Sequence, residues 1–278
     1  VPLAYYSRAA TQEFWSEHWG GEDVGHLVRI ASTSPLTALI ESALPSSGPI
    51  LEAGCGLGQY VILLRERGRA VTGADWSLDA VGRCKRAVPS VPLAVMDLAR
   101  LAVKAGAFAA YVSLGVVEHD ANGPGAIVAE AARVLAPGGR LLLSVPYWNG
   151  TRRLLTSWLI REGRRIRAAG GEFYQFAFTR SEVRAFLEAH GFRVISFHPY
   201  DPARMWRKRF RRLAAGLGGN ETAGVDRDAA PRLTPTSSRR LARAALRKIL
   251  YGEVSLRLFG HMILVVAVKS APRPVAIP

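Results

Sequence analysis

Apolar residues along this chain come in short blocks set apart by glycine, proline and polar residues, and the period within each block predicts its element. The stretches PILEAG (49–54), AVTGAD (70–75), VPLAVMDL (91–98), FAAYVSLG (108–115) and RLLLSVP (140–146) are almost unbroken apolar runs of six to eight residues, and they predict buried strands. Helical periodicity fills the intervals. GQYVILLRERG (58–68) stops at Gly68, SLDAVGRCKRA (77–87) has Ser77 and Asp79 to start it, and a helix over 124–136 is closed by APGG. TRSEVRAFLEAHGF (179–192) reads as a capped helix, with Thr179 or Ser181 at its start and Gly191 at its end. FRVISFH (192–198) and HMILVVAVK (261–269) are the last two predicted strands, residues 35–44 a short amphipathic helix, and residues 1–20 an aromatic-rich helical lead-in. Strands alternating with helices at this spacing predict an α/β protein, a parallel sheet with helices on both faces.

The same pattern divides the chain. Residues 1–44 form a helical lead-in or lid, 45–200 plus 260–270 the core domain, 147–171 a basic insertion after the fifth strand, and 203–258 a basic helical excursion between the last two strands. The Pro-rich end, APRPVAIP, is expected to be loose. With 278 residues, 49% hydrophobic and 21% charged, the chain has material for a sizeable core, which excludes disorder as its main state. Two cysteines, Cys55 and Cys84, make neither a disulfide framework nor a metal set, and they suit a reducing cytoplasm. No apolar run approaches the ~18 residues of a membrane span, and the first residues lack the basic-then-apolar pattern of a signal peptide.

Charge changes the picture more by its placement than by its total of +15. Residues 151–167 hold six Arg and one Glu, and residues 203–258 hold fourteen Lys/Arg against four Asp/Glu. The other 205 residues carry seventeen of each sign. A neutral body therefore bears two basic insertions. Arg far outnumbers Lys and Ala is abundant, a bias that a GC-rich bacterial genome also produces.

The chemistry concentrates in LEAGCGLG (51–58), at the turn from first strand to first helix, where an open parallel sheet binds its ligand. Alternating Gly54, Gly56 and Gly58 let backbone approach a ligand and take positive φ. A dinucleotide fingerprint needs G-x-G-x-x-G/A, but Gln59 occupies the third position. No Gly-Lys-Ser/Thr follows, so a P-loop is absent as well.

Glu52-Ala-Gly54-Cys-Gly56-Leu-Gly58 resembles the opening motif of class I S-adenosylmethionine-dependent methyltransferases, an acid followed by G-x-G-x-G. Asp75 ends the second strand, where that family places an acid on the ribose hydroxyls, and Asp97 follows the third, where it has an acid near the adenine amino group. GVVEHD (115–120) and ARVLAPGGRLLLSVP (132–146) continue the resemblance, which covers about 45–200 and the last strand. It implies a seven-stranded, mostly parallel Rossmann-like sheet with its last strand antiparallel. It also implies S-adenosyl-L-methionine as cofactor, with Cys55, Trp76, Leu98 and Leu114 lining the same site. Glu-x-x-Glu-His in some relatives binds a metal; here Gly115 stands at the first acid position, so no metal is expected.

For a hydroxyl acceptor the base would be His119, just past the fourth strand, with an ordinary pKa near ~6.5; the alternative is that Glu118 and His119 only cap the loop. Tyr5, Tyr6, Trp15 and Trp19 fit either a lid or the core of an N-terminal helix. Tyr147, Trp148 and Asn149 fit either the acceptor pocket or loop anchoring. In the insertions, Leu154, Leu155, Trp158 and Leu159 make an apolar stripe, as do Trp206, Phe210, Leu213 and Leu217, and Leu241, Ala245, Ile249 and Leu250. Such stripes with flanking Arg fit the anionic inner face of a membrane or a lid over a lipid-like substrate, and equally fit ordinary packing on the body. The acceptor expected is a small molecule, a lipid-linked intermediate or a glycan precursor, methylated at oxygen. Nucleic acid is the second choice, since clustered Arg suits phosphates. However, no Asn/Asp-Pro-Pro-aromatic motif follows the fourth strand. A non-catalytic binding module is the third choice, disfavoured by the intact turn.

Overall fold

The computed structural model describes residues 2–202 and 251–270. The lead-in begins with strand β1 (Leu3–Ser7), followed by α1 (Gln12–Gly20), α2 (Val24–Thr33) and α3 (Pro35–Ala43). The expectation of helix throughout 1–20 is thus corrected for residues 3–7. They pair antiparallel with β7 (Glu172–Ala177), a partner some 170 residues away that local periodicity could not supply. α2 falls within the expected helical lead-in, though its bounds were not given; Asp23 caps it by accepting from the His26 amide at 2.7 Å.

The remaining strands are β2 (Ile50–Ala53), β3 (Val71–Asp75), β4 (Leu93–Val95), β5 (Phe108–Leu114), β6 (Leu135–Pro146), β8 (Phe192–Tyr200) and β9 (Met262–Lys269). They form one seven-stranded sheet in the order β4-β3-β2-β5-β6-β9-β8. All pairings are parallel except those of β9, which runs antiparallel to both β6 and β8. This is the mostly parallel sheet with an antiparallel last strand that the sequence led us to expect.

The period of two along each strand sorts side chains to opposite faces. Leu51, Tyr111 and Leu141 face one cluster, completed by α6 (Gly125–Val134) and α9 (Arg180–Ala189). Ile50, Val112 and Leu142 face the other, completed by α2, α3, α4 (Gln59–Glu66) and α5 (Leu78–Ala87). Thr179, not Ser181, caps α9, in a reciprocal box with Glu182.

The insertion after β6 is α7 (Gly150–Leu154) and α8 (Thr156–Ala168), broken at Leu155. That break splits the predicted apolar stripe. Leu159 and the buried Gly163 lie on the side of α8 that packs against β1, whereas Leu154 and Trp158 are exposed. α10 (Glu253–Phe259) packs beside α7. The stripes at 206–217 and 241–250 fall outside the described residues.

Candidate active site

Order in the sheet locates the site. From β2 the chain crosses outward to β3 on one side, and β5 flanks β2 on the other, so the crevice of this α/β sheet opens at the carboxyl ends of β2 and β5. The glycine turn (54–58) and the loop 115–120 meet there. Gly54 has φ +79°, and a Cβ on it would lie 2.3 Å from Val116 Cγ2. Gly56 has φ +52°, and a Cβ on it would lie 2.7 Å from the Trp19 ring. Both positions therefore require glycine for conformation and for space.

Asp75, at the end of β3, latches the turn. Its Oδ2 accepts from the Gly56 amide at 2.7 Å, and its Oδ1 accepts from the Ser77 amide at 2.9 Å, just ahead of α5. Burial pushes its carboxyl up, opposed by these backbone bonds. The Trp76 amide is a third backbone donor, and a carboxylate has about four lone-pair sites, so acceptor capacity remains for about one more donor. Glu52 is buried on the α4 side of β2 and accepts from the Val61 amide, in the first turn of a helix whose own N-cap, Gly58, has no side chain to offer. Its Oε2 has no partner, and burial raises its carboxyl to about 8.

Cys55 is buried in the turn, and burial drives its thiol pKa well up, which makes it an inert small residue. Trp76 is half exposed, and its carbonyl accepts from Gln12 Nε2 at 2.7 Å. Asp97 is exposed after β4, where its Oδ1 accepts from the Ala99 amide at 2.9 Å. Leu98 is buried in the α6-side core and offers the site little side-chain surface, while Leu114 is half-buried against the α4-side core. The structure thus brings Glu52, the three glycines and Asp75 into one bonded unit. Asp97 forms a separate local turn on the same sheet edge.

His119 closes the short 3-10 turn Val117–His119. Its Nδ1 lies 2.8 Å from the Tyr174 carbonyl on β7. A carbonyl can only accept, so Nδ1 carries the proton and Nε2 presents a lone pair. Burial pushes the imidazole below its ordinary value, partly countered by the Tyr174 bond, so the ring is neutral at pH 7. Glu118 Oε1 lies 4.0 Å from Nε2. The Glu118 carboxyl is buried and held up at about 8, with Oε2 unpartnered. Sequence reasoning gave Glu118 only a capping role and missed β7 entirely. The adjacent Glu-His pair at a strand's carboxyl end was the available signal.

Helix α1 lies across this edge. Trp19 covers Gly56 and stacks on Trp15 (ring centroids 6.2 Å apart, 25° between planes), and Trp15 meets the His119 ring edge-on at 5.1 Å. Arg83 on α5 donates to the Gly20 and Glu22 carbonyls and holds the end of α1 in place. Trp15 and Trp19 therefore lie over the glycine turn and His119. Tyr5 and Tyr6 sit instead on β1, where Tyr5 lies under Arg152 and Tyr6 under Arg167. Asn149 is an anchor: its Oδ1 caps α7 and its Nδ2 donates to the Gly260 carbonyl at 2.8 Å. An open cavity of about 460 Å³ between α1 and α5, lined by Gln12, Ser16, Leu78, Asp79, Gly82 and Arg86, adjoins α1 rather than the turn. Among the described residues no group of three or more His, Cys, Asp or Glu is placed to hold a metal ion. No helix among them is long and apolar enough to cross a membrane.

The crevice at the switch point thus carries a glycine turn latched by the strand-end acid Asp75, with a second acid, Glu52, under α4. Residues 51–143 match the methyltransferase-domain family. A probable S-adenosylmethionine-dependent methyltransferase of Mycolicibacterium smegmatis is 34% identical over 97 residues, 35% of this chain and 37% of the relative. A tRNA (carboxymethyluridine(34)-5-O)-methyltransferase of Mus musculus is 31% identical over 116 residues, 40% of this chain and 17% of the relative. A ubiquinone biosynthesis O-methyltransferase of Xanthomonas axonopodis is 27% identical over 212 residues, 73% of this chain and 85% of the relative. The crystal structure of an S-adenosylmethionine-dependent methyltransferase from Mesorhizobium loti has the same fold (TM-score 0.55, 16% identity, 86% of this chain and 100% of that one). Residues 51–143 thus match a methyltransferase domain, and the chain has the Rossmann-like fold of that S-adenosylmethionine-dependent methyltransferase. It spans less than two-fifths of the length of the first curated relatives it matches.

Proposed function

We propose that this protein transfers a methyl group from S-adenosyl-L-methionine to an oxygen of a small-molecule, lipid-linked or glycan-precursor acceptor. The observation that carries the reading is the joint geometry of the latched glycine turn and His119, which stand on adjoining loops of one crevice. The residues fit the cofactor by their donor set: a close-approach backbone at Gly54–Gly58, spare acceptor capacity on Asp75, and an unpartnered buried oxygen on Glu52. Asp75 would take the ribose hydroxyls, and Asp97 would stand near the adenine, with Trp76 and Leu114 beside them; Cys55 and Leu98, whose side chains are buried, would contribute backbone only. When bound, the cofactor supplies an activated methyl group.

The chain's own residues supply orientation and proton handling. Rigid placement of an acceptor against the crevice contributes through orientation. His119 Nε2, free of its own proton, accepts the one released by an acceptor hydroxyl, while the Tyr174 carbonyl keeps the ring in that tautomer and orientation. Trp15 and Trp19 shield the crevice from water, and α1 must shift for ligand to enter. Peripheral association with an anionic membrane accompanies this reading, supported by the net charge of +15, as does a cytoplasmic location, in keeping with the free thiols of Cys55 and Cys84.

A second reading, methylation of tRNA or rRNA, has the same charge and the similarity to a tRNA methyltransferase in its favour. Both readings are tested by radiolabelled methyl transfer into cell-lysate fractions separated into lipids, polar small molecules and RNA. Label in lipid or small molecules supports the first reading, label in RNA supports the second, and label in none refutes both.

A further inference from the structure

The helices after β6 leave an apolar face uncovered. Leu154 on α7 is 86% exposed, Trp158 on α8 57%, and Val254 on the neighbouring α10 72%. Leu155, Ile160 and Leu258 are also substantially exposed. These residues sit on helices tied firmly to the body. The Thr151 hydroxyl donates to the Leu258 carbonyl at 2.8 Å, Asn149 binds Gly260, and a Cβ on Gly150 would strike Leu258. The buried Arg152 donates to the Tyr147 and His261 carbonyls and belongs to this anchoring, not to the surface. The other five arginines of the insertion, at 153, 161, 164, 165 and 167, are exposed. Around α8 they border the apolar residues, with Glu162 the one acid in the stretch.

We propose that the α7–α8 face, with the adjoining face of α10, is a docking surface for an anionic lipid bilayer. Exposed leucines, a tryptophan and an arginine border are what such a surface requires: apolar groups enter the acyl boundary while guanidinium groups stay among the headgroups. Charge selects this occupant over others. A second copy of the chain would bring the same positive border against itself. Residues 203–250 carry thirteen Lys/Arg against three Asp/Glu, so they too share its sign. Nucleic acid would answer the arginines but leave Leu154, Trp158 and Val254 in water. The face is also coupled to the crevice: α8 packs on β1, β1 pairs with β7, and β7 provides the Tyr174 carbonyl that orients His119.

The proposal rests on the peripheral-membrane part of the proposed function and not on methyl transfer. The test is co-sedimentation of the full chain with phosphatidylcholine vesicles and with phosphatidylcholine–phosphatidylglycerol vesicles, with a structured RNA as competitor. Wild type should sediment with the anionic vesicles only, releasing as salt rises. L154S/W158S should weaken that binding about tenfold or more at low salt, and R164E/R165E should weaken it similarly at low salt with little difference at high salt. Trp158→Phe keeps the apolar face and should bind as wild type, while losing the part of the tryptophan emission quenched by brominated lipid. Binding that is unchanged in both double variants would overturn the docking face while leaving membrane association intact elsewhere. Wild type that ignores anionic vesicles, with or without RNA retention, would overturn both.

Discussion

Removal of the Asp75 carboxylate tests the latch and the ligand site together. In Asp75→Ala the Gly56 and Ser77 amides, bonded at 2.7 and 2.9 Å, lose their acceptor in a buried setting. Each orphaned buried amide costs about 1–3 kcal/mol, so the pair costs roughly 2–6 kcal/mol. Relief of the carboxylate's own burial offsets part of this, which favours the lower half of that range. For a chain of this size about 1 kcal/mol moves the melting temperature by roughly 2–4 °C, so a fall of about 5–12 °C is expected by differential scanning fluorimetry. Asp75→Asn keeps one acceptor oxygen and should lose about half as much. On the ligand side, hydrogen bonds to a charged acceptor are worth roughly 1.5–3 kcal/mol, a loss of about tenfold to a hundredfold in S-adenosylmethionine affinity by calorimetry. A variant that melts with the wild type refutes the latch. A variant that is destabilised but binds the cofactor with unchanged affinity limits Asp75 to holding the turn.

Three further outcomes follow from the crevice. Trp19→Ala uncovers Gly56, so stopped-flow binding of S-adenosylmethionine should show both association and dissociation accelerated several-fold; unchanged rates would mean that α1 is not a lid. His119→Ala should lower methyl-transfer turnover by ~10²-fold or more with cofactor affinity kept, and wild-type turnover should fall with acid as the imidazole, held below its ordinary range by burial, protonates. Full turnover of the variant at neutral pH would return His119 to a purely structural role. Glu118 ionises near 4.5 when unfolded but only near about 8 when folded, so the folded state holds the proton longer and stability falls as pH rises between those values. Glu118→Gln should flatten that decline in a melting series across the range. The slope that remains reports Glu52, raised to about 8 by the same burial, and a slope identical to wild type would contradict the placement of Glu118.

The sheet was legible because its strands are local signals. Runs such as FAAYVSLG are buried on both faces and need no partner to be recognised, and the Gly54–Gly58 turn lies within eight residues of sequence. Glu52, Asp75 and His119 were placed from the motif resemblance and from their positions at or just past the ends of predicted strands. What escaped depends on distant partners. β1 is a strand only because β7 pairs with it, and β7, EFYQFA, follows directly on the basic insertion and was not singled out as a strand. The tautomer of His119 is set by a carbonyl 55 residues away. The outward turn of Leu154 and Trp158 depends on a break at Leu155 that no composition rule marks. Asn149 stayed open between acceptor pocket and loop anchoring, because the partner that makes it an anchor, Gly260, enters from the far end of the chain.

The central claim is that the Gly54–Gly58 turn holds S-adenosylmethionine, and calorimetric titration of the full chain tests it most directly. Wild type should bind one equivalent of S-adenosylmethionine, or of its demethylated product, with a dissociation constant in the micromolar range, and should show no heat with NAD. A chain that binds NAD instead, or neither compound, would contradict the account.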